Sequence, residues 1–213
     1  MSTLICFALK EEAAPFHKIA VRHPGVITLT VGIGRANAEK SVRSFLAGDG
    51  KLPELVFTCG FAGGLNPDLK LGDVVFELST ANSWLSSRLV AAGAKPATFF
   101  CADRIATTVA DKAKLRYETR ADAVEMESAA IHAVCAEKNI PCVTVRVISD
   151  TAQEDLPLDF NALAKPDKSL SFGRLFLTIV SSPGKIGALM ALHKKTKFAA
   201  KRLAEVLEKV CQP

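Results

Sequence analysis

A chain of 213 residues, 49% apolar and 23% charged, has the make-up of a soluble globular protein with one full hydrophobic core. No apolar run reaches the ~20 residues that a membrane helix needs, and the six cysteines show no CxxC or other metal-ligand spacing. The net charge of +5 is uneven: residues 161–213 hold 10 Lys and Arg against 3 Asp and Glu, while residues 1–160 hold 17 against 19.

The run from Leu4 to Leu9 reads as a buried first strand rather than a signal peptide, because no basic residue precedes it. That makes the cytoplasm the expected compartment. Lys10 to Val21 has helical composition, and Val26–Val31 alternates like a strand after His23-Pro24-Gly25. Gly32-Ile33-Gly34 then opens a helix over Arg35–Leu46, whose Ala38, Val42, Phe45 and Leu46 fall at helical spacing. Leu55–Cys59 predicts a strand ending in a small-residue turn, Gly60 to Gly64. A strand follows at Val74–Glu77, a helix around Trp84–Ala92, a strand at Ala97–Phe100 and a short helix at Ala110–Tyr117. Helical spacing recurs over Glu125–Lys138, and the apolar strand Cys142–Ile148 ends on Ser149 and Asp150. Strands alternating with helices predict a three-layer α/β/α sandwich around a central mixed sheet. The expected division is a core over residues 1–160 and a basic helical segment over residues 161–213, packed on or appended to the same domain.

The chemistry concentrates at strand ends, where open α/β sheets bind their ligands. Glu12, Glu127 and Asp150 each follow a predicted strand, so three acids can converge on one crevice. One could donate a proton if burial raised its pKa, and another could activate water. Gly32-Ile33-Gly34 offers backbone N–H groups to an anion or a ribose oxygen, although Asn37 breaks the dinucleotide fingerprint. The glycines at 60, 63 and 64 allow close approach of a ligand to the backbone. His17, His23, His132 and His193 have no partner of fixed spacing, so no metal ligation is expected. Cys6, Cys59, Cys135 and Cys142 fall in apolar runs, where a free thiol behaves as a small hydrophobe.

The strings FALKEEAAPF, VGIGRANAEKSV, CGFAGGLNPDLKLGDVV and AVEMESAAI…VTVRVISD, in that order over residues 1 to 150, resemble the nucleosidase and nucleoside phosphorylase superfamily. The pattern looks most like the methylthioadenosine/adenosylhomocysteine nucleosidases. The resemblance implies that Glu12 activates water, that Glu127 holds the ribose diol over Met126, and that Asp150, beside Ser149, serves the purine at N7. It also implies substrate contacts from Gly34, Gly60, Phe61, Ala62 and Ile105. No cofactor is implied, and phosphate would be a co-substrate only if the reaction were phosphorolysis. Phe61 and Ile105 depart from the pattern, which carries Ser in the glycine turn and an aromatic over the base.

The tail, with LPLDF, a Ser181-Ser182-Pro183-Gly184 break and a basic end, resembles the hopanoid-associated phosphorylases, which act on an adenosyl group joined to an apolar lipid. Ala199, Leu203, Val206, Leu207 and Val210 form an apolar stripe flanked by lysines. Such a helix either packs on its own domain or touches an anionic membrane peripherally. Phosphorylases of the superfamily carry an Arg where this chain has Thr58, which favours hydrolysis; Arg35 is the remaining candidate for phosphate. The expected substrate is a purine nucleoside, lipid-linked in the phosphorylase reading, and the expected assembly is a homodimer or higher homo-oligomer. A non-catalytic nucleoside-binding module is the distant alternative. Nucleic acid is not expected as a partner, because only Phe198 lies near the basic cluster.

Overall fold

The computed structural model describes residues 2–48, 50–78, 83–163 and 186–212. In chain order its elements are β1 (Thr3–Phe7), α1 (Lys10–Ala20), β2 (Val26–Thr30), α2 (Arg35–Leu46), β3 (Leu55–Gly64), β4 (Val74–Leu78) and α3 (Ser83–Ala92). Then come β5 (Lys95–Pro96), β6 (Phe99–Cys101), α4 (Val109–Thr119), β7 (Ala123–Glu125), α5 (Ser128–Glu137), β8 (Cys142–Asp150), α6 (Phe160–Leu163) and α7 (Ile186–Cys211).

The sheet runs β2-β1-β3-β8-β4-β5, with β7 pairing β3 and β6 pairing β7. Its centre is parallel, β1 with β2 and β3, and β3 with β8. Strand β4 lies antiparallel to β8, and β7 antiparallel to the end of β3. Successive strand residues point to opposite faces. Ile5, Phe7, Phe57, Val143, Val145 and Val147 therefore join one cluster with Phe16, Leu89, Leu203 and Leu207 of the helices. Leu4, Cys6, Val56 and Cys142 join another with Val42, Ile131 and Val134. Helices α1, α3 and α7 cover one face, α2 and α5 the other, and the sheet is mixed with layers on both sides.

Helix α7 buries Ala199, Leu203, Val206, Leu207 and Val210 in the larger cluster. A fully buried Leu or Val contributes about 1.5–3 kcal/mol, so the helix belongs to the core. Its apolar stripe is spent on the sheet, while Lys194, Lys197, Lys201 and Arg202 stay exposed. No helix among the described residues is long and apolar enough to cross a membrane. The Ser181-Ser182-Pro183-Gly184 break and the rest of the expected segment over residues 164–185 lie outside the described residues.

Two sequence expectations change. The glycines at 60–64 do not form a turn: β3 continues through them and pairs with β8 as far as Asp150. Glu125 does not begin a helix but ends β7, and α5 starts only at Ser128. The helical spacing expected from Glu125 onwards does not hold at its start, since β7 is locked to the end of β3 at Gly63 and Gly64.

Candidate active site

Strands β3 and β8 bring the functional side chains together. Gly60 of β3 sits opposite Arg146 of β8, and Glu12, in the first turn of α1, reaches the same spot. A Cβ on Gly60 would lie 2.7 Å from Glu12 Oε1 and 2.8 Å from Arg146 Nη1, and its φ is +148°. Only glycine leaves room for the two charges there. Gly60→Ala should thus cost about 1–3 kcal/mol of stability and lower kcat/KM by about 10²-fold through displaced Glu12. Thermal melts and steady-state rates check this; a variant with wild-type rates would show that Glu12 placement does not depend on the gap.

Further along, the register of β3 and β8 shifts between Ala62 and Gly63, so that Gly63 pairs with Asp150. In an unbroken pleat Ser149 and Asp150 would face opposite ways. The bulge re-aims them, and both line one cavity of about 260 Å³ with Glu12, Phe61, Ala62, Ile105, Met126 and Glu127. Gly34 and Gly60 do not line it; they stand behind its acids. The Gly34 N–H, at a φ of +85°, donates to Glu127 Oε1 at 2.8 Å, so the N–H expected to meet an anion or ribose meets this carboxylate instead.

Each acid has a different environment. Glu12 is buried and accepts Leu9 N–H at 2.9 Å and Phe61 N–H at 2.8 Å. Burial pushes its pKa up to about 7, against the opposing pull of Arg146 and these bonds. Glu127 is also raised, first by burial and further by Glu125, with Arg146 opposing. For Glu125 burial acts upwards too, but Arg146 and the Ser128 hydroxyl and amide outweigh it, and the net direction is down. Its oxygens accept from Glu127 N–H, Ser128 N–H and Ser128 Oγ at 2.9, 2.8 and 2.6 Å, which caps α5. Asp150 Oδ1 accepts from Ser149 Oγ at 2.7 Å, and Oδ2 pairs with Lys112 Nζ at 2.6 Å.

Three cations of this site are absent from the sequence-based expectations: Arg104, which lines the cavity, and Arg146 and Lys112, which stand behind its acids. Arg146, fully buried, pairs with Glu125 at 2.5 Å and Glu127 at 3.3 Å and donates to Thr58 Oγ1 at 3.1 Å. The three carboxylates of Glu125, Glu127 and Glu12 hold its pKa up despite burial. Its signal in the sequence is a lone charge inside an apolar strand, which must be paired if buried. Lys112 comes from α4, where its neighbours Lys114 and Arg116 disguise it. Leu156, Phe160 and Leu192 complete the cavity wall with apolar surface. Ile105 is fixed by reciprocal backbone bonds to the Asn161 side chain, both 2.9 Å. Arg35 does not line the cavity; it donates to the Cys101 carbonyl and pairs with Asp103 at 3.5 Å.

Residues 85–181 match the Phosphorylase superfamily model. The 5'-methylthioadenosine/S-adenosylhomocysteine nucleosidase of Actinobacillus succinogenes is 30% identical over 174 residues, 66% of this chain and 74% of that protein. The nucleosidase of the same description from Shewanella pealeana is 28% identical over 64% of this chain and 73% of its own length. Among solved structures, the Campylobacter jejuni 5'-methylthioadenosine/S-adenosyl homocysteine nucleosidase superposes with a TM-score of 0.70 at 19% identity, covering 99% of this chain and 98% of that one. The futalosine hydrolase of Helicobacter pylori gives a TM-score of 0.70 at 19% identity, over 99% and 97%. These structures share the fold. With a relative 30% identical over three quarters of its length, this chain belongs to the phosphorylase superfamily of nucleosidases and nucleoside phosphorylases.

Proposed function

We propose that this protein is a purine nucleosidase, which hydrolyses the bond between ribose C1′ and the base. The observation that carries the reading is the convergence of Glu12, Glu127 and Asp150 on one cavity. Breaking this bond leaves an oxocarbenium-like sugar. Glu127, held from behind by Gly34 and Arg146, accepts the ribose 2′- and 3′-hydroxyls, and its charge favours the developing cation. Glu12, raised to about 7, is ionised in a large fraction of molecules at neutral pH and takes the proton of the attacking water. Asp150 faces the departing purine, with Ser149 steadying Oδ1. Met126 and the apolar wall leave few other polar contacts, which suits a substrate whose remaining group is apolar.

Hydrolysis rather than phosphorolysis is supported by the cations near the cavity. Arg146 is consumed by Glu125, Glu127 and Thr58, Arg35 by Cys101 and Asp103, and Arg104 by Asp111 at 3.0 Å. The A. succinogenes relative is described as a nucleosidase, in line with this. Adenine release from methylthioadenosine and adenosylhomocysteine, followed in phosphate-free buffer and again with phosphate added, tests the proposal. The expected rate is the same in both. A strict phosphate requirement would turn the assignment to a phosphorylase, and no release from any purine nucleoside would end the enzymatic reading.

A further inference from the structure

Lys112 has no part in the scheme above, yet it is fully buried and touches the acid that faces the base. It lies one turn into α4, whose N-terminus is capped by Thr108. Its Nζ meets three oxygens: Asp150 Oδ2 at 2.6 Å, the Thr151 carbonyl at 2.7 Å and the Glu154 carbonyl at 2.8 Å. An ammonium has three N–H groups and satisfies all three oxygens. A neutral amine has two, which serve the two carbonyls, and its lone pair accepts the proton of a protonated Asp150. The three-oxygen nest therefore accommodates the pair with the proton on either side of the 2.6 Å contact, and as the ion pair it leaves Asp150 a carboxylate. A carboxylate has no proton to give, while a purine leaving from C1′ needs one.

We propose that Lys112 is the proton reservoir for Asp150, a positioning residue for leaving-group protonation in the hydrolysis proposed above, on which this inference rests. As the C1′–N9 bond breaks, its electron pair passes into the purine and N7 becomes basic. Lys112 Nζ gives a proton to Asp150 across the 2.6 Å contact as Asp150 delivers one to N7, so that Asp150 ends as the carboxylate it began as. Lys112 is left as an amine and the base departs neutral. The water that adds to C1′ passes its proton to Glu12, which loses it to solvent. Once the base has left, a proton returns to Lys112 through Asp150, which lines the cavity, so no net proton is consumed. The nest is braced from outside, since Lys195 of α7 pairs with Glu154 at 2.9 Å. That keeps the two carbonyls in place whether or not the proton has moved.

A loop anchor with no part in proton transfer is the competing role, and leaving-group chemistry separates the two. Lys112→Met is compared with wild type on methylthioadenosine and on 4-nitrophenyl β-ribofuranoside, whose nitrophenolate leaves without a proton. The reservoir predicts a fall in kcat of about 10²-fold or more on the nucleoside, a KM changed by less than about threefold, and a nitrophenyl rate close to wild type. Equal losses on both substrates would make Lys112 an anchor and overturn the proposal. If wild type cleaves the nucleoside but refuses the nitrophenyl riboside, the double variant Lys112→Met/Asp150→Asn decides. It removes both charges together, so no unpaired charge is left buried, and its kcat should match that of Asp150→Asn within about threefold. A further tenfold loss would mean that Lys112 acts apart from Asp150. A wild type that cleaves neither substrate would instead refute the nucleosidase reading itself.

Discussion

Glu12→Gln should lower kcat by about 10²–10⁴-fold, the usual worth of a positioned general base, with KM for the nucleoside little changed. The variant keeps the side-chain length, so the cavity survives while the basic oxygen is lost. Wild type should also report this group through pH. A base works only when ionised, and burial raises Glu12 to about 7. The kcat/KM of wild type should therefore fall about tenfold per pH unit below pH ~7, and the slope should vanish in the Gln variant. A wild-type profile flat down to pH 5 would remove Glu12 from the role of base.

The same carboxyl ties activity to stability, with a definite sign. Its folded value of about 7 lies above the ordinary 4.5, so the native state holds a proton that the unfolded chain has released across that window. The stabilisation is complete below pH 4.5 and is lost as pH rises towards 7. Ionising Glu12 in its buried place costs on the order of 3 kcal/mol, which Gln cannot incur. Gln does forfeit one of the two N–H bonds from Leu9 and Phe61 at every pH. The informative quantity is thus the difference between the two proteins, which should move in favour of Gln between pH 5 and pH 8 in urea titrations. A difference independent of pH would show that Glu12 is not held protonated by burial.

Much of this site could be read from local pattern. The apolar spacing of Ala38, Val42 and Leu46 defines α2 with the bounds expected of it, and acids at strand ends pointed to the cavity. The glycines of β3 were misread because glycine usually interrupts a strand. Here it is tolerated at position 60 because Glu12 and Arg146, 48 residues before and 86 after it, fill the space of its missing side chain. No local window holds that information. Glu125 was misread for a similar reason: its oxygens cap α5 and grip Arg146, a tertiary arrangement that mimics helical spacing. The β8 bulge is also invisible in sequence, yet it turns Ser149 and Asp150 to the same cavity.

Arg146→Met should be the most damaging single change to stability. The guanidinium is buried among Glu125, Glu127 and Thr58, and it opposes the burial penalty on Glu12 as well. Removing one partner of a buried pair costs about 3–5 kcal/mol, because the remaining charge stays out of water. Here at least two carboxylates lose their counter-charge, against a total stability of about 5–15 kcal/mol for a domain. The loss should depend on pH with a predictable direction. Glu125, now held below its ordinary value chiefly by Arg146 in opposition to burial, would move up once the cation is gone. The variant would then recover part of its stability by protonation, and its deficit in urea titrations should shrink from pH 8 to pH 5. Arg146→Lys should restore only part of the loss, since one ammonium cannot reproduce the forked contacts to Glu125, Glu127 and Thr58. Pairing Arg146→Met with Glu125→Gln removes a charge from each side and should cost less than the sum of the two single changes. If Arg146→Met were as stable as wild type at pH 8, the carboxylate cluster would be hydrated rather than dry, and the separate environments assigned to Glu12 and Glu127 would fall with it.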